Sequence, residues 1–306
     1  MKTILVIGGS GFIGRNIIEA YLTKGIKLIV LSSGYHSWLN EIKSQVTVLE
    51  GKLENKSLIE NAVKEYNVDL VLHLASSLIP SSNFSDFQNE MSNVIEPTFW
   101  LVNMLAERGI KLLYFSSGGT VYGNSSKSEI CESEPLSPIN YYGLSKVMIE
   151  NYIQFAGSSL SLNYLILRPS NVFGRYQPQD RPQGFISVAL SNLLSGEKLT
   201  VYGNGDIIRD FIDVQDLTFL TLKLIEKGVK NRVLNIGSGV GNSLNEIISI
   251  LEKELNKKMY VEYMPERAVD AKKVVLDISK LNQIISFKPK ELELGIRDII
   301  NKEACL

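Results

Sequence analysis

The sequence predicts an α/β fold, in which a doubly wound parallel sheet is joined to a smaller C-terminal α/β lobe. Short apolar runs of strand type alternate with amphipathic helical patterns, and the first run, residues 4–7, enters a glycine-rich turn that opens a helix. The 306 residues slightly exceed what one hydrophobic core usually fills. We therefore expect a first domain at residues 1–172 with a returning segment around residues 211–238, and the smaller lobe mainly at residues 173–306.

The composition argues against several classes of partner. The net charge is −1, the pI is about 6.2 and the basic residues are scattered, so no nucleic acid partner is expected. Cys131 and Cys305 are far apart and lack metal-ligand spacing, which predicts no metal site and a reduced, cytoplasmic environment. The chain starts with strand-like residues instead of a signal peptide, and no run reaches the roughly 18 apolar residues of a membrane span. We expect a soluble protein with no membrane partner.

The turn after the first strand has the spacing of a phosphate-binding loop. Its glycines allow a sharp turn and a close approach to a pyrophosphate, whose charge is stabilised by the N–H groups and dipole of the new helix. At the first strand of a βαβ pattern, this favours a Rossmann-type dinucleotide site over a plain tight turn. The candidate cofactor-binding residues of the turn are Gly8, Ser10, Gly11, Phe12, Ile13 and Gly14.

The second predicted strand, residues 27–31, is followed by Ser32 and Ser33, where an NAD-binding fold usually has an acid. A carboxylate there accepts hydrogen bonds from the adenosine ribose and repels the additional phosphate of NADP. Its absence leaves NAD and NADP both open as the cofactor. The two serines, with His36, are either close to that phosphate or plain turn residues.

Strands and helices continue to alternate, with a strand at residues 46–49, a helix at residues 57–66 and a strand at residues 69–74. His73 lies in the apolar end of that last strand, and we interpret it as a structural histidine. The residues expected under the cofactor, at the carboxyl edge of the sheet, are Leu74, Ala75 and Ser76.

A helix is predicted at residues 91–108, although Pro97 interrupts it, and a strand follows at residues 110–115. This strand runs into a loop rich in small and hydroxyl residues at the ligand-binding edge of the sheet. Ser117 and Thr120 in the loop are candidate hydrogen-bond donors to a substrate, with an ordinary polar turn as the alternative.

Tyr142 and Lys146 lie four residues apart in a helical pattern, so their side chains share one face. The ammonium can then lower the pKa of the phenol and favour the phenolate near neutral pH. Such a pair can move a proton to or from a sugar hydroxyl while a nicotinamide handles the hydride. The spacing also occurs by chance, but after a nucleotide-type turn and a hydroxyl-rich loop it predicts a catalytic base.

The remaining chain predicts the smaller lobe. It has helices at residues 185–194 and 243–255, the second with Ser243 as N-cap, and strands at residues 199–202 and 233–237. The polar stretch between Tyr176 and Gly184 is interpreted as a substrate-side loop.

Six motifs together resemble those of the extended short-chain dehydrogenases/reductases, in the nucleotide-sugar epimerase/dehydratase family typified by UDP-glucose 4-epimerase. The resemblance runs from end to end of the chain. The motifs are GGSGFIG at residues 8–14, HLA at 73–75, SSGGTVYG at 116–123, YGLSK at 142–146, RPSNVFG at 168–174 and GDIIRDFIDV at 205–214.

This resemblance implies roles for individual residues. Tyr142 is then the base, and Lys146 both tunes it and holds the nicotinamide ribose. Asn171 is expected to meet the diphosphate region of a nucleotide-diphosphate sugar, and Arg209 to pair with the diphosphate, since a guanidinium can bind two oxygens at once. The alternative for Arg209 is a surface salt bridge.

Arg267 and Asp270 resemble the positions that reach the phosphate and the nucleoside ribose, again with a structural role as the alternative. Family members commonly form homodimers through a four-helix bundle, and the helices at residues 91–108 and 141–156 are the candidates in this chain.

Three positions depart from the family pattern. Gly118 occupies the position of the usual catalytic Ser or Thr, so Ser117 is the substitute and Thr120 the second choice. Ser32 replaces the ribose-binding acid. Lys52 replaces an aspartate that commonly contacts adenine, and Leu53 beside it is kept as a candidate cofactor contact.

The leading hypothesis is an NAD(P)-dependent 4-epimerase that acts at C4 of the hexose in a nucleotide-diphosphate sugar. One alternative is an NADPH-dependent 4-keto-6-deoxy nucleotide-sugar reductase, which the missing acid at Ser32 motivates. A dehydratase is disfavoured, since the resemblance implies an Asp-Glu pair where Gly119 and Thr120 stand. An alternative of another class is a catalytically silent cofactor-binding sensor or scaffold, which Gly118 motivates.

Overall fold

The computed structural model describes residues 2–34, 36–178, 184–268 and 270–303. Its strands, in chain order, are β1 (Thr3–Ile7), β2 (Lys27–Ser32), β3 (Thr47–Glu50), β4 (Leu70–His73), β5 (Lys111–Phe115), β6 (Tyr164–Pro169), β7 (Asn171–Phe173), β8 (Leu199–Tyr202), β9 (Ile208–Asp213), β10 (Arg232–Ile236), β11 (Gly241–Ser243), β12 (Val261–Met264) and β13 (Lys273–Val274).

Helices lie between most of these strands. They are α1 (Phe12–Leu22), α2 (Ser37–Glu41), α3 (Lys56–Glu65), α4 (Phe84–Glu90), a π-helix (Met91–Ile95), α5 (Glu96–Glu107), α6 (Tyr141–Ser159), α7 (Phe185–Ser195), α8 (Val214–Glu226), α9 (Leu244–Leu255), α10 (Ser279–Ile284) and α11 (Leu292–Glu303).

The chain divides into two compact units, and each is built from three separate segments. The first unit consists of Met1–Ser116, Asn140–Leu167 and Leu224–Val233. The second unit consists of Ser117–Ile139, Arg168–Lys223 and Leu234–Leu306.

The main sheet has seven strands in the order β10-β6-β5-β4-β1-β2-β3. The pairs from β6 to β3 are all parallel, and Ile7 is in register with both Leu31 and His73. The strand order reverses between β1 and β4, and ligands of doubly wound sheets bind outside the carboxyl ends of strands at such a point. The expected α/β fold with a Rossmann-type parallel sheet is confirmed.

The strands of this sheet are apolar because they are covered on both faces. All five residues of β1 are buried, as are the last five of β2. They share a core with the inward faces of the helices, in which Ile59, Val102 and Ile153 are fully or almost fully buried. The loops that follow β1, β4 and β5 therefore extend from strands that are packed on both faces.

The helical stretch around Pro97 differs from the single helix expected at residues 91–108. It begins earlier, at Phe84, where Asn83 and Asp86 form a capping box, and its middle is the π-helix. Proline has no N–H to donate to the carbonyl four residues back, and its ring crowds that carbonyl. Pro97 lies in the first turn of α5, and the wider π-helical turn, which ends at Ile95, comes just before it.

The second unit has its own sheets and its own core. One sheet has the order β11-β9-β13, with β7 also paired to β9, and a two-stranded sheet joins β12 to β8. Its core includes Phe173, Leu190, Phe211, Ile247 and Ile296. No helix among the described residues is long and apolar enough to cross a membrane.

Candidate active site

The turn after β1 has the geometry of a phosphate cradle. Gly8 has a φ of 77°, and a Cβ added there would lie 2.8 Å from the backbone nitrogen of Ala75. A Cβ on Gly14 would lie 2.6 Å from the Cα of Gly9. The N-cap of α1 is Gly11, which offers no side chain to the first N–H groups of the helix. These observations fit the pyrophosphate of a dinucleotide, because close backbone approach and free helix N–H groups are what it requires.

The loop after β4 lies against this cradle, as the contact between Gly8 and Ala75 shows. Ser76 in this loop donates its hydroxyl hydrogen to the carboxylate of Glu90, at 3.0 Å. Ser77 donates to the same carboxylate through its N–H at 2.9 Å and its hydroxyl at 2.5 Å. The loop expected under the cofactor is therefore anchored to the end of α4.

The residues after β2 and β3 have different environments. Ser32 is buried, and its hydroxyl donates to the carbonyl of Gly34 at 2.8 Å, whereas Ser33 is exposed. Leu53 is part of the core of the first unit, and Lys52 is exposed. The Ser32 hydroxyl is thus used within its own turn, whereas the side chains of Ser33 and Lys52 face solvent.

Helix α6 carries Tyr142 and Lys146 in its first two turns. Its N-cap is Asn140, whose side chain accepts a hydrogen bond from the N–H of Gly143 at 2.8 Å. The Nζ atom of Lys146 lies 5.6 Å from the centre of the Tyr142 ring and donates to the carbonyl of Phe115 at 3.1 Å. The lysine is therefore fixed between the phenol and the end of β5.

The ammonium of Lys146 is almost completely buried, with 3% of the residue exposed. Burial lowers the pKa of Lys146 to about 8, while the negative charges of Glu90 and Glu150 oppose this shift. A lysine with such a pKa is charged near neutral pH but only by a small margin. Its positive charge can stabilise the Tyr142 phenolate, and the neighbouring carboxylates affect how readily Lys146 loses its proton.

His73 is fully buried at the end of β4. Thr98 donates its hydroxyl hydrogen to the carbonyl of Val94 at 2.6 Å, so it can only accept from His73 Nε2, at 2.8 Å. Burial, and secondarily the charge of Lys146, lower the pKa of His73 to about 3. His73 is neutral and holds β4 against α5.

The loop after β5 belongs to the second unit from Ser117 onward. A Cβ on Gly119 would lie 3.8 Å from both Ser117 Oγ and Asn171 Oδ1, so these two side chains converge there. The Oγ1 atom of Thr120 is buried and has no hydrogen-bond partner among the described residues. Ser117 is partly exposed, and it is the hydroxyl of the loop that a ligand can reach.

Asn171 and Arg209 are joined through strands of the second unit. Asn171 Nδ2 donates to the carbonyl of Asp210 at 2.9 Å, and β7 pairs with β9 in parallel. Arg209 lies on β9 beside Asp210. Burial lowers the pKa of the Arg209 guanidinium and the charge of Asp270 raises it, and it remains a cation.

Arg267 forms an ion pair with Asp270, with Nε 2.7 Å from Oδ2. Its guanidinium carbon lies 3.9 Å from the centre of the Tyr202 ring. Arg209, Arg267 and Asp270 therefore form one charged group, whose net charge suits a diphosphate. The expected loop between Tyr176 and Gly184 lies mostly at residues 179–183, outside the described residues.

Sequence reasoning did not single out Glu90, Glu150 or Tyr202. Glu150 continues the spacing of Tyr142 and Lys146 by four more residues, a signal that was available. Nothing in the local pattern around Glu90 indicates burial, because its partners come from the loop after β4. Tyr202 alternates on a predicted strand, and its contact with Arg267 depends on the tertiary fold.

Comparison with known proteins places these features in a family. The family model described as "NAD dependent epimerase/dehydratase family" matches residues 4–237. The UDP-glucose 4-epimerase of Lactobacillus helveticus is 29% identical over 310 residues, covering 94% of this chain and 92% of the relative. The dTDP-4-dehydro-6-deoxyglucose reductase of Escherichia coli is also 29% identical, over 315 residues, covering 99% of this chain and 98% of the relative.

The fold also matches solved structures along its whole length. The UDP-glucose 4-epimerase of Thermotoga maritima, crystallised with UDP-glucose, superposes with a TM-score of 0.92 at 26% sequence identity. The superposition covers 99% of this chain and 100% of the other.

Proposed function

Because this chain belongs to the NAD dependent epimerase/dehydratase family, we propose that it is a nucleotide-sugar 4-epimerase. Its substrate is a nucleotide-diphosphate sugar, and it inverts C4 of the hexose. The observation that carries the proposal is the buried Lys146 ammonium held beside Tyr142 on α6. In this pair, Tyr142 is the base that takes a proton from a sugar hydroxyl.

The chemistry follows from the charge of this pair. Tyr142, as phenolate, accepts the proton of the C4 hydroxyl, and the ammonium of Lys146 stabilises the phenolate before transfer. A nicotinamide cofactor held by residues 8–14 would supply the acceptor and donor of the C4 hydride. Tyr142 gives the proton back once the 4-keto sugar presents its opposite face, so no cofactor is consumed.

The residues of the second unit suit the remainder of the substrate. We assign Arg209 and Arg267 to the diphosphate, because each is a guanidinium that can bind two oxygens. Asp270 orients Arg267 through their ion pair and is assigned to the nucleoside ribose. Asn171 is assigned to the diphosphate region, and Ser117 to the hydroxyl that assists proton transfer, with Thr120 as second choice.

The cofactor residues are assigned in the first unit. Residues 8–14 hold the pyrophosphate, Leu74, Ala75 and Ser76 lie beneath the cofactor, and Ser33 lies near the adenosine ribose. The exposed Ser33 and Lys52 can each donate a hydrogen bond to the additional phosphate of NADP, and neither carries a negative charge that would repel it. They therefore support the second candidate function, an NADPH-dependent 4-keto-6-deoxy nucleotide-sugar reductase.

A homodimer formed by α5 and α6 completes the proposal. Phe155 on α6 is 52% exposed and lies beside Tyr152, whose ring stacks on Phe99 of α5 with ring centres 4.2 Å apart. A cytoplasmic location stays a prediction from the cysteine content.

The test is turnover by Tyr142→Phe. Removing the phenolic oxygen deletes the base, so interconversion of UDP-hexoses is expected to fall by about 10²–10⁴-fold while the fold is retained. Tyr141→Phe is the matched control, since the Tyr141 ring stacks on Phe87 and its hydroxyl is not part of the proposed machinery. Wild-type turnover by Tyr142→Phe would end the catalytic assignment.

Turnover by the purified protein, with and without added cofactor, distinguishes an epimerase from a reductase. The epimerase interconverts sugars with no cofactor added, because the bound cofactor is regenerated. Stoichiometric loss of NADPH absorbance with a 4-keto-6-deoxy nucleotide sugar identifies the reductase instead.

A further inference from the structure

Lys146 lies in a cluster of buried ionisable groups that come from four elements of the first unit. Glu90, at the end of α4, is 1% exposed and Glu150, on α6, is 0% exposed. His73 of β4 and Tyr114 of β5 complete the cluster, with Tyr142 at its partly exposed rim.

His73 and Tyr114, the two fully buried aromatic members of this cluster, are neutral. Burial lowers the pKa of His73 to about 3, and burial together with the charges of Glu150, Tyr142 and Glu90 raises the pKa of Tyr114 well above its usual value. The charges that act on the Lys146 ammonium are therefore those of Glu90 and Glu150. Burial lowers the pKa of Lys146, and these carboxylates oppose that effect and so favour the protonated ammonium.

Glu90 differs from Glu150 in what else it holds. Glu150 lies on the same helix as Lys146, whereas Glu90 comes from α4 and accepts three hydrogen bonds from Ser76 and Ser77. These hydrogen bonds, from one N–H and two hydroxyl groups, satisfy both oxygens of the buried carboxylate. Glu90 therefore binds the loop after β4 and also acts on the charge of Lys146.

Resting on the proposed function, we propose that Glu90 is a positioning residue with two tasks. Its negative charge keeps Lys146 protonated so that Tyr142 is available as phenolate, and its hydrogen bonds fix the Ser76–Ser77 loop beneath the cofactor.

The charge is tested by the near-ultraviolet absorbance of tyrosinate as pH is raised. The chain has 13 tyrosines, so the titration of Tyr142 is taken as the difference between each protein and the same protein with Tyr142→Phe. With Glu90→Gln, the pKa of Lys146 falls, and the ammonium beside the Tyr142 ring is lost at a lower pH. We expect this loss to outweigh the removal of the repulsion that Glu90 itself exerts on the phenolate, so the phenol titrates about one pH unit higher. Turnover near neutral pH then falls about tenfold and recovers as pH is raised.

Glu96→Gln is the matched control, because Glu96 lies on α5 with an exposed side chain and forms a long ion pair with Lys56, at 3.6 Å. It is expected to titrate as wild type does. A folded Glu90→Gln protein whose Tyr142 titrates at the wild-type position would overturn the proposal. The titration uses no sugar, so failure of the epimerase assignment does not affect it.

The anchoring task is separated from the charge by Ser77→Ala, which removes the 2.5 Å hydroxyl bond and leaves Glu90 in place. It is expected to speed the release of NAD from the protein several-fold, with no change in the titration. A shift in titration as large as that of Glu90→Gln would show that loop position, not charge, controls Tyr142.

If Glu90→Gln fails to fold, Glu90→Asp takes its place. The shorter carboxylate is expected to leave the titration unchanged and to speed cofactor release. Unchanged release together with a shifted titration would contradict both tasks.

Discussion

Gly118 shows how a single position limits the chemistry of the loop after β5. A Cβ there would lie 2.6 Å from a methyl carbon of Leu276 and 2.9 Å from the carbonyl oxygen of Arg168. The leucine can adjust, but the backbone oxygen cannot move cheaply. A hydroxyl therefore cannot simply be restored at this position, and in our proposal it comes from Ser117 or Thr120.

This crowding predicts different costs at adjacent glycines. Gly118→Ala is expected to lower the free energy of unfolding by about 1–3 kcal/mol, because the extra methyl overpacks a filled site. Gly119→Ala is the control, since its Cβ would meet nothing closer than 3.8 Å. Urea unfolding followed by far-ultraviolet circular dichroism measures both. Equal stabilities of the two variants would contradict the packing argument.

Helix α6 has two roles on two faces. One face buries Lys146, Ile149 and Ile153 against the sheet, while Phe155 points to solvent with 52% of its surface exposed. An exposed phenylalanine next to the stacked pair of Tyr152 and Phe99 suits a symmetric contact with a second copy.

A charge on the exposed face of α6 is expected to weaken the proposed homodimer. Phe155→Glu places a charge in the proposed dimer contact and is expected to raise the dimer dissociation constant by about 100-fold or more. Phe219→Glu is the control, because Phe219 is 46% exposed on α8 and lies outside that contact. Analytical ultracentrifugation gives both constants. The proposal fails if the wild type is a monomer, or if both variants remain dimers.

The free energy of unfolding is expected to depend on pH through the buried His73. In the folded protein the pKa of His73 is about 3, against an ordinary value of 6.5, so unfolding takes up a proton between these values. Stability is therefore lost as pH falls from about 6.5 towards 3, by up to about 1.4 kcal/mol per pH unit. His73→Gln removes this contribution, and its stability should fall less steeply with acid.

The measurement can be confined to the first unit. Trp38 and Trp100, the two tryptophans of the chain, both lie in that unit, so intrinsic fluorescence follows its unfolding. His36→Gln is the control, because His36 is the other of the two histidines of the chain. The same pH slope for His73→Gln as for wild type would contradict this account.

Much of the first unit could be predicted because its signals are local. The apolar runs before Gly8, before Ser32 and after Arg108 match β1, β2 and β5 to within a residue, and the spacing from Tyr142 to Lys146 identified α6. The strands β7, β9, β11 and β13 were not predicted, because most are only two or three residues long and form through distant partners. Glu90 was missed for the same reason, since its burial depends on Ser76 and Ser77.

The division of each unit among three segments also bears on how the protein is synthesised. Strand β10, which completes the main sheet beside β6, is formed by Arg232–Ile236 of a 306-residue chain. Until that segment has been synthesised, β6 lacks its neighbour β10, and an exposed sheet edge favours pairing with other chains. Because each unit includes segments beyond residue 223, neither unit can form all of its contacts until those segments have been synthesised.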